Sequence, residues 1–174
     1  MLAYHSVLFS NGEDEDVTAY MLPPSDEVDA AWDALYNFNM QVIPASSAKK
    51  LQNETSAIPG DEDHHIVMLD VFHQLHCLNM IRKALAPDYY HGWKINYEHS
   101  IHCIDSLRQS LMCSVDITPI PFMWHEELGM LQHEGRILHT CRDFELVRQW
   151  ALDNEMAPNL NWMEFPHVIP SSKP

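Results

Sequence analysis

Between Met68 and Leu85 the apolar positions fall at helical spacing: Leu69, Phe72, His76 and Met80 form one stripe, which Leu75, Leu78 and Ile81 widen. Arg82 and Lys83 suit the negative end of that helix dipole, and Pro87 stops the helix. Tyr97 to Cys113 repeats the pattern, with Ile101, Ile104, Leu107, Leu111 and Met112 as its apolar surface. An earlier helix is predicted from the cap Ser25, followed by Asp26 and Glu27, through Val28, Ala31, Trp32 and Leu35 to about Tyr36. A last one is expected over Thr140 to Leu152, carrying Cys141, Phe144, Val147 and Trp150. Elsewhere the periodicity is short or broken. Tyr4 to Phe9 and Val17 to Leu22 flank the acidic turn Asn11 to Asp16 and predict a hairpin. Residues 41–63, with Pro44, Pro59 and Gly60, and residues 114–137, with Pro119, Pro121 and Gly135, read as irregular connections. Tyr89, Tyr90 and Trp93 in the loop between the two central helices, and Trp124 further on, are candidate walls of a substrate pocket.

These elements predict a mainly α fold: a single compact helical domain with a small N-terminal β arm and long irregular loops. The arm takes residues 1–24, the helical domain 25–157 and a loop tail 158–174. A length of 174 residues with 46% hydrophobic content is enough for one core and calls for no second domain. Composition then narrows the partners. With 25 acidic against 10 basic residues, the formal charge of -15 argues against nucleic acid, whose recognition depends on Lys and Arg at phosphates. No apolar run approaches the roughly 18 residues of a membrane span. Met1 to Leu8 lacks the basic start and long apolar stretch of a signal peptide, so the chain as it stands reads as soluble.

The chemistry lies in a repeat. His73-x-x-His76-Cys77 and His99-x-x-His102-Cys103 stand 26 residues apart, one on each central helix. Spacings of three and four put all three side chains of a motif on one helix face. A single pair of this kind is more often structural than a site. Two pairs in one register, on apolar faces where imidazole is costly unless bonded or ligated, point to a metal shared by four imidazoles. Asp70 and Asp105, three residues from His73 and His102, are placed to accept the remaining ring N–H groups; salt bridges to Arg82 or Arg108 are the plainer alternative. His139 is a fifth candidate ligand.

The four cysteines bear on the choice of metal. If Tyr97 to Cys113 is one helix, Cys103 and Cys113 lie about 15 Å apart and cannot bond to each other. That leaves Cys77 with Cys103 and Cys113 with Cys141, or Cys77 with Cys113 and Cys103 with Cys141. Oxidised, they brace the helices and leave an all-nitrogen site suited to copper(II); reduced, Cys77 and Cys103 would complete a closed zinc site. No nucleotide-binding glycine loop or hydrolase elbow is present.

The run from Val71 to Arg82, the run His99 to Cys113, the segment His139 to Phe144 and the opening Pro24 to Trp32 resemble the UstYa-like proteins of fungal natural-product gene clusters. The resemblance extends from about Tyr20 to Ala151. It implies a copper-dependent oxidase or oxygenase, with O2 as co-substrate, that tailors a peptide or other secondary metabolite by oxidative cyclisation, hydroxylation or halogenation. It also implies that His73, His76, His99 and His102 carry one or two copper ions and the catalysis. Relatives usually begin with a single membrane helix, which implies a membrane-anchored domain in the secretory lumen; whether it assembles with copies of itself or with other chains is open. Two alternatives remain: a metal-independent cyclase or isomerase using the histidines as acid and base, and a zinc-stabilised interaction module.

Overall fold

In the computed structural model, which describes residues 3–12, 15–92 and 96–165, strand β1 (Tyr4–Leu8) precedes a single 3-10 turn and helix α1 (Asp26–Tyr36). Ser25 caps α1 by accepting from the Val28 N–H at 3.2 Å, and Asp26, Glu27 and Asp29 fill its first turn, where the helix dipole favours acids. Strand β2 (Gln41–Pro44), the single-turn helix α2 (Ala45–Ala48), strand β3 (Ala57–Ile58) and strand β4 (Asp61–Val67) follow. The two motif helices come next: α3 (Asp70–Ala84) and α4 (Tyr97–Ser114). The Asn96 side chain caps α4 by accepting from the His99 N–H at 2.7 Å. Beyond them lie strands β5 (Phe122–His125), β6 (Met130–His133) and β7 (Leu138–Arg142), and helix α5 (Phe144–Asp153). Among the described residues no helix is long and apolar enough to cross a membrane.

The fold is mixed α/β, not mainly α: about 40% of it is helix and 20% strand, with three small antiparallel sheets. The reason is that backbone pairing found partners where residue patterning shows none. Residues 41–63, expected as a loose connection, supply most of a sheet ordered β2-β4-β3. Its central strand β4 begins with three charged residues, Asp61, Glu62 and Asp63, and Gly60, at φ 78°, makes the tight turn into it from β3. Residues 114–137, also expected to be irregular, contain the β5-β6 hairpin, paired from Phe122 with His133 to His125 with Met130. The expected hairpin within residues 1–24 does not form. β1 pairs instead with β7, Tyr4 opposite Arg142 and Leu8 opposite Leu138. That pairing also displaces the start of the last helix: Thr140 to Arg142 are strand, and α5 starts after Asp143, whose carboxylate accepts from the Leu146 N–H at 3.1 Å.

The core sits between α1, α3 and α5. Val28 and Trp32 of α1, Phe72 of α3, Ala151 of α5 and the following Met156 are buried. Phe72 meets Phe38 edge to face at 4.7 Å and Phe144 at 6.3 Å. The apolar surface expected of α4 stays largely in solvent: Ile101, Ile104, Leu111 and Met112 are exposed, and only Cys103 is buried. Gln41, 1% exposed, joins the sheet to α3. Its Nε2 donates to the Asn39 carbonyl at 2.8 Å, and its Oε1 accepts from the Leu69 N–H, just ahead of α3, at 3.3 Å. Replacing Gln41 by Leu removes both bonds at a buried position, and urea denaturation should show a loss of about 1–3 kcal/mol; an unchanged midpoint would contradict this account.

Candidate metal centre

Helices α3 and α4 pack with their motif faces together. The His73 and His102 rings lie 5.7 Å apart between centroids, and the His76 and His99 rings 6.4 Å apart. His99 and His102, one turn apart on α4, are 6.4 Å apart. The α3 imidazoles are half-buried and those of α4 exposed, so the cluster opens to solvent on the α4 side. Beneath it Cys77 and Cys103, one on each helix, are wholly buried. The Cys77 thiol is pushed up to about 12 by burial and by Cys103, and its sulfur lies 3.7 Å from His73 Nε2.

His76 is the best supported of the four. Tyr36 packs edge-on against it at 5.7 Å, and the Tyr36 hydroxyl accepts from Asn79 Nδ2 at 2.8 Å. Asn79, 1% exposed, in turn accepts from Arg82 Nε at 2.7 Å, and Arg82 pairs with Asp29 of α1. Burial, then the neighbouring His73 and His99, pushes the His76 pKa down and favours the neutral ring, the form that can donate a lone pair. Neither Tyr36 nor Asn79 was foreseen as part of the site. The available signal was Asn79 itself, an amide three residues after His76 in an otherwise apolar stretch of helix.

Two imidazoles on one ion, at a metal–nitrogen distance near 2.0–2.1 Å, place their ring centres roughly 5 to 6.5 Å apart. The cross-helix pairs meet that spacing, and neutral nitrogen donors suit copper, zinc or nickel. Among the described residues, no three His, Cys, Asp or Glu side chains converge closely enough to enclose an ion. The fit to a metal therefore rests on the donor set and on the pairwise spacing across the two helices.

The other candidates are placed as follows. Asp70 Oδ1 stands 3.7 Å from His73 Nδ1, beyond hydrogen-bond reach, and its other oxygen accepts from Gln74. Asp105 accepts from Arg108 Nε and Gln109 Nε2, each at 2.7 Å, which is the salt-bridge alternative rather than a bond to His102. Tyr89 and Tyr90 brace α1: the Tyr90 hydroxyl donates to Asp29 at 2.7 Å and the Tyr89 hydroxyl to Asp26 at 3.5 Å. Trp124 lines a cavity of about 100 Å³ with His125 and His133, and Trp93 lies outside the described residues. A different cavity reaches one motif imidazole, His102: an open groove of about 370 Å³ lined by Asp70, His102, Ser106, Gln109, Ser110 and Cys113. Its hydroxyl and amide groups, Ser106, Gln109 and Ser110, repeat along one face of α4, a polar stripe the apolar pattern hid, and Asp70 faces them from the start of α3.

His139 belongs to another setting. On β7 its Nδ1 lies 2.6 Å from Asp116 Oδ2 and its ring stacks on Phe9 at 3.7 Å. Asp116 follows the C-terminal end of α4, which by helical rise is roughly 18 Å from His102. Val115, at φ 27°, makes the turn that presents it. Cys113 is exposed near the same end of α4, and Cys141 is half-buried on β7.

A sequence model of the family described as mycotoxin biosynthesis protein UstYa matches residues 1–154. The UstYa family oxidase aprY of Aspergillus flavus is 28% identical over 166 residues, covering 83% of this chain and 49% of the relative. The UstYa family oxidase VicYc of Bipolaris victoriae is 44% identical over 86 residues, 48% of this chain and 84% of the relative. The hydroxylase cctR of Talaromyces islandicus is 27% identical over 143 residues, 79% of this chain and 53% of the relative. The chain spans about half the length of aprY and of cctR. No solved structure matches it.

The Asp116 contacts predict a pH dependence. Hydrogen bonds from Thr118, then from His139, depress the Asp116 pKa to about 2, below its usual 3.8. Folding therefore gains stability from this carboxylate above about pH 4, and the gain is lost as the pH falls toward 2. Thermal melts should show Asp116→Asn less stable than the parent at pH 6, with the gap closing toward pH 2; a gap that stays constant would contradict it.

Proposed function

This chain belongs to the UstYa family, and from that membership we propose that it is a tailoring oxidase of secondary metabolism whose motif imidazoles hold copper. The cross-helix approach of His73 to His102 and of His76 to His99 carries the reading. The names of the relatives, oxidases and a hydroxylase, support oxidation as the reaction class. In this reading His73 and His76 from α3 and His99 and His102 from α4 are the ligands. Bound copper would supply one-electron redox chemistry with O2 as co-substrate.

The chain's own groups do the rest. Tyr36 and Asn79 hold the His76 ring in place, so that its orientation is set before a ligand arrives. Cys77 and Cys103 close the floor of the cluster against water. The groove beside His102 admits substrate, and Ser106, Ser110, Gln109 and Asp70 offer hydrogen bonds that orient a peptide or another polar metabolite. The secretory lumen is the compartment that fits this reading, since it favours oxidised cysteines and so nitrogen-only ligation.

Equilibrium dialysis against copper(II) with elemental analysis tests the ligand set. One or two ions per chain are expected, and the His76→Ala/His102→Ala double variant should bind at least about tenfold more weakly while remaining folded by circular dichroism. Substoichiometric copper in the parent, or full copper in the folded variant, would sink the proposal. Oxygen uptake with a candidate substrate tests the reaction class, and turnover that survives chelation and exclusion of O2 would select acid–base chemistry by the same imidazoles instead.

A further inference from the structure

Exchanging the two motifs carries His73 onto His99, His76 onto His102 and Cys77 onto Cys103. The same exchange turns the His73–His102 contact, 5.7 Å, into the His99–His76 contact, 6.4 Å. That near-equality is what an approximate twofold axis between α3 and α4 produces. The Cys77–Cys103 pair maps onto itself and so sits on the axis, between the two imidazole pairs. Both cysteines are 0% exposed, one on each helix, and Cys103 is close enough to weigh on the Cys77 thiol.

We propose that Cys77 and Cys103 close a disulfide on this axis, a covalent clip that sets the spacing of the four imidazoles; the clip stands on its own geometry, and its service to a metal rests on the function proposed above. The alternative pairing is not compatible with the packing. It requires Cys77 to pass over the buried Cys103 and reach Cys113, which is about 15 Å further along α4 and exposed on the rim of the groove. It also requires the buried Cys103 to reach Cys141, whose strand is tied to the far end of α4. That tie joins Asp116, three residues past Cys113, to His139, two residues before Cys141 on the same strand face, and so holds Cys141 toward the Cys113 end of α4 rather than toward Cys103.

Closure removes two protons and two electrons from the thiols and forms one S–S bond. The electrons pass to a small-molecule disulfide such as oxidised glutathione, whose own S–S bond breaks through a mixed disulfide to leave two thiols. Because both sulfurs are inaccessible once α3 and α4 have packed, the exchange takes place during folding. His76 and His102 each immediately precede a clipped cysteine, so the cross-link holds one imidazole of each helix directly.

The test is disulfide mapping on metal-free chain refolded from denaturant in a buffer of reduced and oxidised glutathione, alkylated and digested without reduction. A cross-linked peptide containing Cys77 and Cys103 is expected, lighter by two hydrogens than its separate halves, and the Cys113→Ser/Cys141→Ser variant should retain it. Cys77→Ser/Cys103→Ser should lose it and melt roughly 6–12 °C lower. Alkylated Cys77 and Cys103 in folded chain, or either one linked to Cys113 or Cys141, would overturn the proposal. A cross-linked chain that binds no copper(II) would overturn the metal reading alone, and a copper-binding chain with both thiols free would overturn the clip alone.

Discussion

The closeness of α3 to α4 at Cys77 and Cys103 is the constraint on which the candidate site depends. Two small, fully buried side chains leave the helices room to pack closely there, and the imidazoles beside them lie within ring-to-ring reach. A larger residue at either position would force the helices apart, because a filled interface has no room for added volume. The motif is thus one device in which the cysteine sets the gap and the histidines use it.

The two helices are held to different degrees. α3 is anchored through Phe72 in the core and through the Asn79–Arg82–Asp29 chain to α1, with Arg82 also lying over Trp32 and Tyr90 at 5.5 Å from each ring. α4 leans on α3 and leaves its opposite face in solvent. An anchored helix carrying the half-buried His73 and His76, faced by a less embedded one carrying His99 and His102, gives a site that is rigid on one side and open on the other. The polar groove lies on that open side, where a substrate can reach His102 without displacing the core.

Local competition explains the carboxylates. Asp105 stands three residues from His102 and also three from Arg108, and the guanidinium, always charged and able to donate through a fixed fork, takes it. Spacing along a helix identifies which partners are in reach and leaves open which one wins. The same holds for Tyr89 and Tyr90, aromatic loop residues whose hydroxyls are taken up by acids of α1 rather than by a pocket.

Helices α1, α3 and α4 and the doubled motif were legible in the chain because helical periodicity, caps and side-chain facing depend on neighbours within a few residues. The sheets were not. β1 takes its partner from β7 at the other end of the chain, and β4 is a strand because β2 and β3 flank it rather than because its residues favour one. For the same reason Tyr36 against His76, Asp116 against His139 and Cys77 against Cys103 could not be chosen from sequence: each joins residues far apart along the chain, and only the packed structure makes them neighbours. Helical spacing alone settles which side chains share a helix face, whereas which faces meet depends on packing, since contact between distant segments follows the shape of everything folded between them.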